Sequence, residues 1–171
     1  DLIDAALTIA ADRGDGATWE ALHAVYAKPS TPQEEQRYLS ALARFSDVEL
    51  ALRTYELALE SVRTQDAPYT IMQLLSSRTA GPAVFARLGD DWSDATSRFP
   101  QETHSRMVSG IAGLPAGRSL LDQVAAFTTT HPVGSGQRTV VQAVERLGVT
   151  NALAERIAPT VRGDLARLTA K

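Results

Sequence analysis

No cysteine occurs anywhere in the 171-residue chain. Disulfides, thiolate metal sites and cysteine nucleophiles are therefore excluded, and the expected setting is reducing and cytoplasmic. Lysine is scarce too: only Lys28 and Lys171 among 17 basic residues. That skew towards arginine reads as the coding bias of a GC-rich bacterium rather than as chemistry. Histidine is limited to His23, His104 and His131. None has another histidine four residues away, as a zinc-binding helix requires for both imidazoles to face one ion. No apolar run approaches the roughly 18 residues of a membrane span, so no membrane partner is expected. Net charge is only −3, with a pI of about 5.6. A nucleic-acid partner would need a clustered basic face, and none is legible. Period-2 alternation is missing as well, and the lone Asp15-Gly16 sits between helices rather than in a hairpin.

What remains is helix. A chain of this length buries roughly 70% of its unfolded surface, so residues 1–171 are expected to form a single helical domain. The chain opens on Asp1, and its first acids precede the apolar part with no basic region before it. It is therefore not a signal peptide. The missing initiator Met suggests a cut within a longer protein.

The spacing of Leu2, Ala5, Ala6, Ile9 and Ala10 predicts an opening helix ended by Gly14 and Gly16. Thr18 is the expected cap of the next, which carries Trp19, Leu22, Val25 and Tyr26 and stops at Lys28-Pro29. Thr31-Pro32-Gln33-Glu34 is a capping box with proline at the first helical position. It starts a helix with Tyr38, Leu39, Leu42 and Phe45 on one face. Ser46-Asp47-Val48-Glu49 repeats the box. Val48, Leu52, Tyr55 and Leu59 line one side of the following helix, Leu50 and Leu57 another. A very short loop makes these two helices antiparallel partners.

A short helix over 69–78 then turns Ile71, Leu74 and Leu75 inward. A single helix from Ala80-Gly81-Pro82 to Phe99 follows, with Val84, Phe85, Leu88, Trp92 and Ala95 on one face and Pro100 ending it. Met107, Val108 and Ile111 mark the next. Leu120, Leu121, Val124 and Phe127 mark another. After a loop at Pro132, Gly134 and Gly136, one more helix carries Val140, Val141, Val144 and Leu147. The last segment has Leu153 and Ile157, a break at Ala158-Pro159, then Val161, Leu165 and Leu168. These make about ten or eleven helices with a period of about 30–45 residues. The fold class is all-α: a right-handed superhelix of HEAT- or armadillo-like helix pairs. Helix rhythm carries this reading, because self-similarity in sequence is poor.

No catalytic constellation accompanies this rhythm. A serine elbow of the G-x-S-x-G type is absent. GSGQR at Gly134–Arg138 lacks the lysine of a phosphate loop and follows no strand, so it reads as a turn with Ser135 as cap. Asp90, Asp91 and Asp94 lack Ca²⁺-loop spacing and read as a solvated acidic face. Trp19 and Trp92 lie on apolar stripes and read as core. No catalytic, cofactor or metal residue is expected in the chain.

The order of the blocks is more informative than any one of them. SRMVSGIAG, then FTTTHPVGSGQRTVVQAVERL, resembles the C-terminal helical domain of M1 zinc aminopeptidases, the domain of the endoplasmic-reticulum and puromycin-sensitive aminopeptidases and of bacterial aminopeptidase N. Upstream, YAKPSTPQEEQRYLSALARFSDVELALRTYELAL looks like that domain's helix pair and DDWSDATSRF like its long helix. The resemblance spans about residues 2–168. It implies a HEAT-like superhelix that follows a thermolysin-like catalytic domain, covers its active site and shapes a closed peptide chamber. The zinc and the family's H-E-x-x-H and G-A-M-E-N-type motifs belong to that other domain, and neither motif occurs here. The chain is thus expected to be inactive alone, with the catalytic domain and the peptide substrate as its partners.

In that family, arginines of the C-terminal domain reach towards the peptide carboxylate. Arg106 and Arg138, in the best-matching segments, are the substrate-facing candidates. A free-standing helical scaffold that binds a protein or peptide in its concave groove is the alternative. The opening helix, apolar on several sides through Leu2, Ile3, Leu7 and Ile9, is expected to contact a neighbouring domain or to self-associate. A chain that sediments as a strict monomer at high concentration would count against this.

Overall fold

The computed structural model describes residues 2–169. Asp1 and Lys171, remarked on above, lie outside them. The described chain consists of α1 (Leu2–Arg13), α2 (Gly16–Ala27), α3 (Pro32–Leu42), α4 (Val48–Glu60), α5 (Ala67–Leu75), α6 (Gly81–Asp90), α7 (Trp92–Arg98), α8 (Gln101–Val108), a 3-10 turn (Ser109–Gly113), α9 (Arg118–Thr130) and α10 (Gln137–Thr169), with no strand among the described residues.

Two rows of helices stack on one another. In the first row α1 packs on α3, α3 on α5, α5 on α8 and the 3-10 turn, and these on α10. In the second, α2 lies against α3, α4 and α6 against α5, and α9 against α10. The period of the array is written in its cross-links. Six polar contacts of the first row join residues 33 or 34 apart: Arg37 to Asp4, Ser40 to Gln73, Ser46 to Asp12, Ser76 to the Gly110 carbonyl, Ser135 to the Gln101 carbonyl and the Gly117 N–H to Asn151. In such an array each unit buries its apolar face against its sequence neighbours, the arrangement of an all-α helical-repeat fold.

Side-chain caps account for the starts of α2, α3 and α4. The Thr31 hydroxyl accepts the Glu34 N–H at 3.1 Å, and the Glu34 carboxylate accepts the Ser30 N–H at 2.6 Å. Two expected caps move. Asp15, not Thr18, caps α2: its carboxylate accepts the Thr18 N–H at 2.9 Å. That bond, ahead of the Thr18 hydroxyl, holds Asp15 below the usual carboxylate range. Asp47, not Ser46, caps α4, leaving the Ser46 hydroxyl to tie the turn to Asp12 on α1. In both cases the carboxylate is the stronger acceptor for a bare N–H at a helix start.

The main core runs the length of the array through Ile71, Leu74, Leu75, Leu88, Ile111 and Leu147, all fully buried. A smaller core of Ala11, Trp19, Leu22, Ala41, Leu42 and Phe45 sits under α1–α3. Phe45 lies in the turn after α3 and is fully buried. Residues 43–47 therefore cover this small core instead of forming a minimal loop, and α3 packs on α1, α2 and α5 rather than pairing mainly with α4. On α4 the innermost positions are Ala51, Thr54, Tyr55 and Ala58, with the larger Leu52 and Leu59 flanking them and Val48 exposed.

Two longer-range expectations are overturned. The helix expected over 81–99 is two helices, broken at Asp91, whose backbone leaves helical geometry (φ −93°, ψ 10°) while its carboxylate accepts from Arg87 Nε at 2.7 Å. Conversely, no break occurs at Ala158-Pro159: α10 runs through Pro159. The proline is exposed, so water can satisfy the carbonyl its missing N–H frees. Beyond Leu147 this helix presents an exposed apolar stripe. Leu153, Ile157, Val161, Leu165 and Leu168 are each at least 45% exposed. Nearer its start the buried positions are Val140, Ala143 and Leu147, with Val141 outside.

Tyr55 is fully buried and its hydroxyl has no hydrogen-bond partner among the described residues. Burial, and secondarily the charge of nearby Asp91, push the phenol well above its ordinary range. Removing the unsatisfied hydroxyl with Tyr55→Phe is expected to raise stability by about 1 kcal/mol at pH 7. The advantage of the variant grows at alkaline pH. The unfolded phenol ionises near pH 10 and the folded one later, so the wild type loses up to about 1.4 kcal/mol per pH unit above 10 relative to the variant. Urea midpoints at pH 7 and 11 measure both, and an unchanged difference between the two pH values would refute the assignment.

Candidate functional site

The helices of the first row end at one edge and leave a run of grooves between them. The largest of three, about 900 Å³, lies among the C-terminal parts of α1, α3 and α5 and is lined by Thr8, Arg13, Ala43, Arg44, Met72 and Arg78 with their neighbours. A second, about 600 Å³, shares Thr8 and Arg44 with it and extends between α1 and α3 to Gln36 and Arg37. A third, about 240 Å³, shares Gln36 and Ser40 with the second and continues between α3 and α5 to Asp66 and Tyr69. All three open on the first row, so one face of the array is furrowed across successive repeats.

Arg106 belongs to this face. It projects from α8, exposed, with its guanidinium 6.0 Å from the centre of the Tyr69 ring that lines the third groove. A guanidinium over an aromatic face is held by its flat side and keeps its edge donors for another acceptor. Arg138 is exposed at the start of α10 and lines none of the three grooves. The loop before it, however, is seated on α8: a Cβ at Gly134 would run into the Gln101 side chain, and one at Gly136 into Ser105. Gly136 also has φ +72°, the left-handed region glycine favours. The two candidate arginines are therefore carried by adjacent elements of one row. Two other basic side chains of the face are engaged: Arg37 with Asp4 at 2.9 Å, and Arg63 with Glu35 and Asp66 at 3.1 and 3.0 Å.

The histidines are packing groups. His23 stacks on Trp19 at 4.8 Å. His104 is buried, with Nε2 3.0 Å from the Phe99 carbonyl. His131 stacks on Phe127 at 4.4 Å, its Nδ1 facing the Phe127 carbonyl. Though 27 residues apart in sequence, His104 and His131 flank one indole, that of Trp92, at 6.4 and 5.6 Å. Trp92 and Phe127 also meet edge to face at 5.2 Å. Trp19 is core as expected, and its indole N–H donates to the Thr54 hydroxyl at 2.8 Å.

The order of helices, the furrowed row and the glycine contacts can be set beside known families. A family model described as the ERAP1-like C-terminal domain matches residues 1–148. The chain belongs to that family. It is thus a C-terminal domain of an M1 aminopeptidase, and the match ends inside α10, so the exposed stripe from Leu153 onward lies outside the matched residues. The ERAP1-like family implies a zinc-dependent parent enzyme. The residues here do not fit that metal. Among the described residues no three acidic or imidazole groups converge, and His104 and His131 direct ring nitrogens at backbone carbonyls. Among the described residues no helix is long and apolar enough to cross a membrane.

Sequence reasoning missed Tyr69 as the seat of Arg106, and it missed the arginines of the largest groove. The second group did leave a signal. Arg13, Arg44 and Arg78 recur 31 and 34 residues apart at the ends of consecutive first-row helices, close to the period of the array.

Proposed function

We propose that this domain is the non-catalytic wall of the parent aminopeptidase's peptide chamber, with the furrowed first row turned towards the catalytic domain. The observation that carries the reading is the succession of three grooves along one row of a family-matched array. Substrate peptides run along that row, and Arg106 and Arg138 supply charged contacts to them. Zinc and the bond-breaking groups reside in the other domain. The domain covers residues 1–171 as one unit in a cytoplasmic enzyme. The apolar face of α1, where Leu2, Ile3 and Ile9 are each more than half exposed, offers a surface for the catalytic domain or a second copy.

The test uses the full-length aminopeptidase. Arg106→Ala is expected to raise KM for long peptides about tenfold, or about 1.4 kcal/mol. It should leave kcat/KM for a single-residue p-nitroanilide within about twofold, because that substrate never reaches this row. Arg138→Ala should behave alike. Equal losses on both substrates, or none on either, would contradict the assignment.

A further inference from the structure

We propose that the groove among the ends of α1, α3 and α5 binds an acidic peptide segment, with Arg13, Arg44 and Arg78 taking its side-chain carboxylates. This site is separate from Arg106 and does not rest on the chamber reading.

The first support is an imbalance of charge in a chain that is acidic overall. Five arginines elsewhere hold carboxylate partners: Arg37, Arg53, Arg63, Arg87 and Arg118. The three that line the largest groove have none among the described residues, and all three are exposed. The one carboxylate in the lining, Asp12, is engaged by the Ser46 hydroxyl. Ser76 is similarly occupied, donating to the Met72 and Gly110 carbonyls at 2.9 and 3.3 Å. These two hydroxyls are thus committed to the scaffold, and the guanidinium forks are the charged donors of the groove.

The second support is size and lining. About 900 Å³ is far more than one small anion fills and matches the upper end of ligand sites, roughly 300–1,000 Å³. Ile9, Ala43 and Met72 supply apolar lining between the charges. A chain that alternates acidic and apolar side chains fits both, and guanidinium pairs with carboxylate in a two-point geometry. A competing role is visible. The three arginines sit at or just beyond the C-termini of α1, α3 and α5, where each helix end carries about half a negative charge. If that were their only role, ligand and stability would respond independently, which decides the experiment.

Fluorescence anisotropy of the full 171-residue chain should be measured with a labelled, C-terminally amidated octapeptide containing three glutamates, its glutamine isostere, and the same peptide with a free terminus. The glutamate peptide is expected to bind, and the isostere at least about tenfold more weakly. Each single Arg→Gln substitution should weaken binding about two- to fivefold, and the triple variant about tenfold or more. Asp12→Asn should tighten it about twofold by removing the opposing charge. Arg146→Gln, exposed on α10 away from the groove, should change nothing. If the triple variant fails to fold, the single variants and Asp12→Asn carry the test. Equal binding of the isostere would overturn the proposal. So would binding that requires the free terminus, displacement by inorganic phosphate but not by acetate, or a triple variant that melts lower yet binds like the wild type.

Discussion

Gly110→Ala is expected to cost about 2–3 kcal/mol of stability, the scale of overpacking a close-packed contact. The backbone at Gly110 is not in the left-handed region, so the cost is purely one of space. A Cβ there would collide with the Met72 carbonyl oxygen and stand 2.7 Å from Leu75 Cβ. Met72 and Leu75 belong to α5, so the 3-10 turn would be levered off its neighbour. Gly113 repeats the contact against Ser76, with a Cβ 2.8 Å from its Cα and carbonyl oxygen. This pair of glycines explains the SGIAG block, in which only Ile111 stood out in the bare sequence. Gly148 is the control. It lies inside α10, and a methyl group on its Cα would meet nothing within 4 Å. Gly148→Ala should therefore stabilise by about 0.5–1 kcal/mol through helix propensity alone. Urea midpoints of the two variants should move in opposite directions. A Gly110→Ala loss below about 0.5 kcal/mol would show that α5 gives way instead.

Phe45→Ala should cost about 3–5 kcal/mol, and the loss should be local. Phe45 is fully buried in the smaller core with Ala11, Trp19, Leu22, Ala41 and Leu42. Most of those partners are small or aliphatic and anchored on helices, so the void has few ways to collapse. The larger core begins beyond it and shares only partly buried residues such as Tyr26 and Leu57. Amide exchange should therefore accelerate across α1–α3 while the amides of α5 around Ile71 keep their protection. Ile71→Ala, in the larger core, should cost about 2–5 kcal/mol and speed exchange along the whole array. Uniform acceleration by Phe45→Ala would mean that the two cores unfold as one.

The sequence made the helices legible because their signals are local. The Thr31 box, the prolines at the first turns of α3 and α6, and the inward Ile71, Leu74 and Leu75 all stand as read, whereas the helix expected over 69–78 is Ala67–Leu75 and takes Pro68 into its first turn. The misses have non-local causes. Asp91 interrupts a periodicity that runs through Trp92 unbroken, and its geometry goes with an ion pair to Arg87 on the turn before. Pro159 obeys the local rule for stopping a helix, yet its exposure removes most of the reason to stop. Ser46 and Asp47 are both good caps, and only the position of Asp12 on α1 explains which task each takes. The candidate site was legible only as two arginines in matching segments. Its grooves are built from residues of three helices, and Arg106 acquires its aromatic seat from Tyr69, 37 positions earlier.

The first-row cross-links have a mechanical meaning. Because they join residues 33 or 34 apart and no farther, tension on the two ends passes through every seam alike and the weakest opens first. Freeing one repeat of that length releases about 110–120 Å of extended chain. The domain is in this respect a row of latches in series, able to lengthen stepwise while the units that remain closed keep their packing.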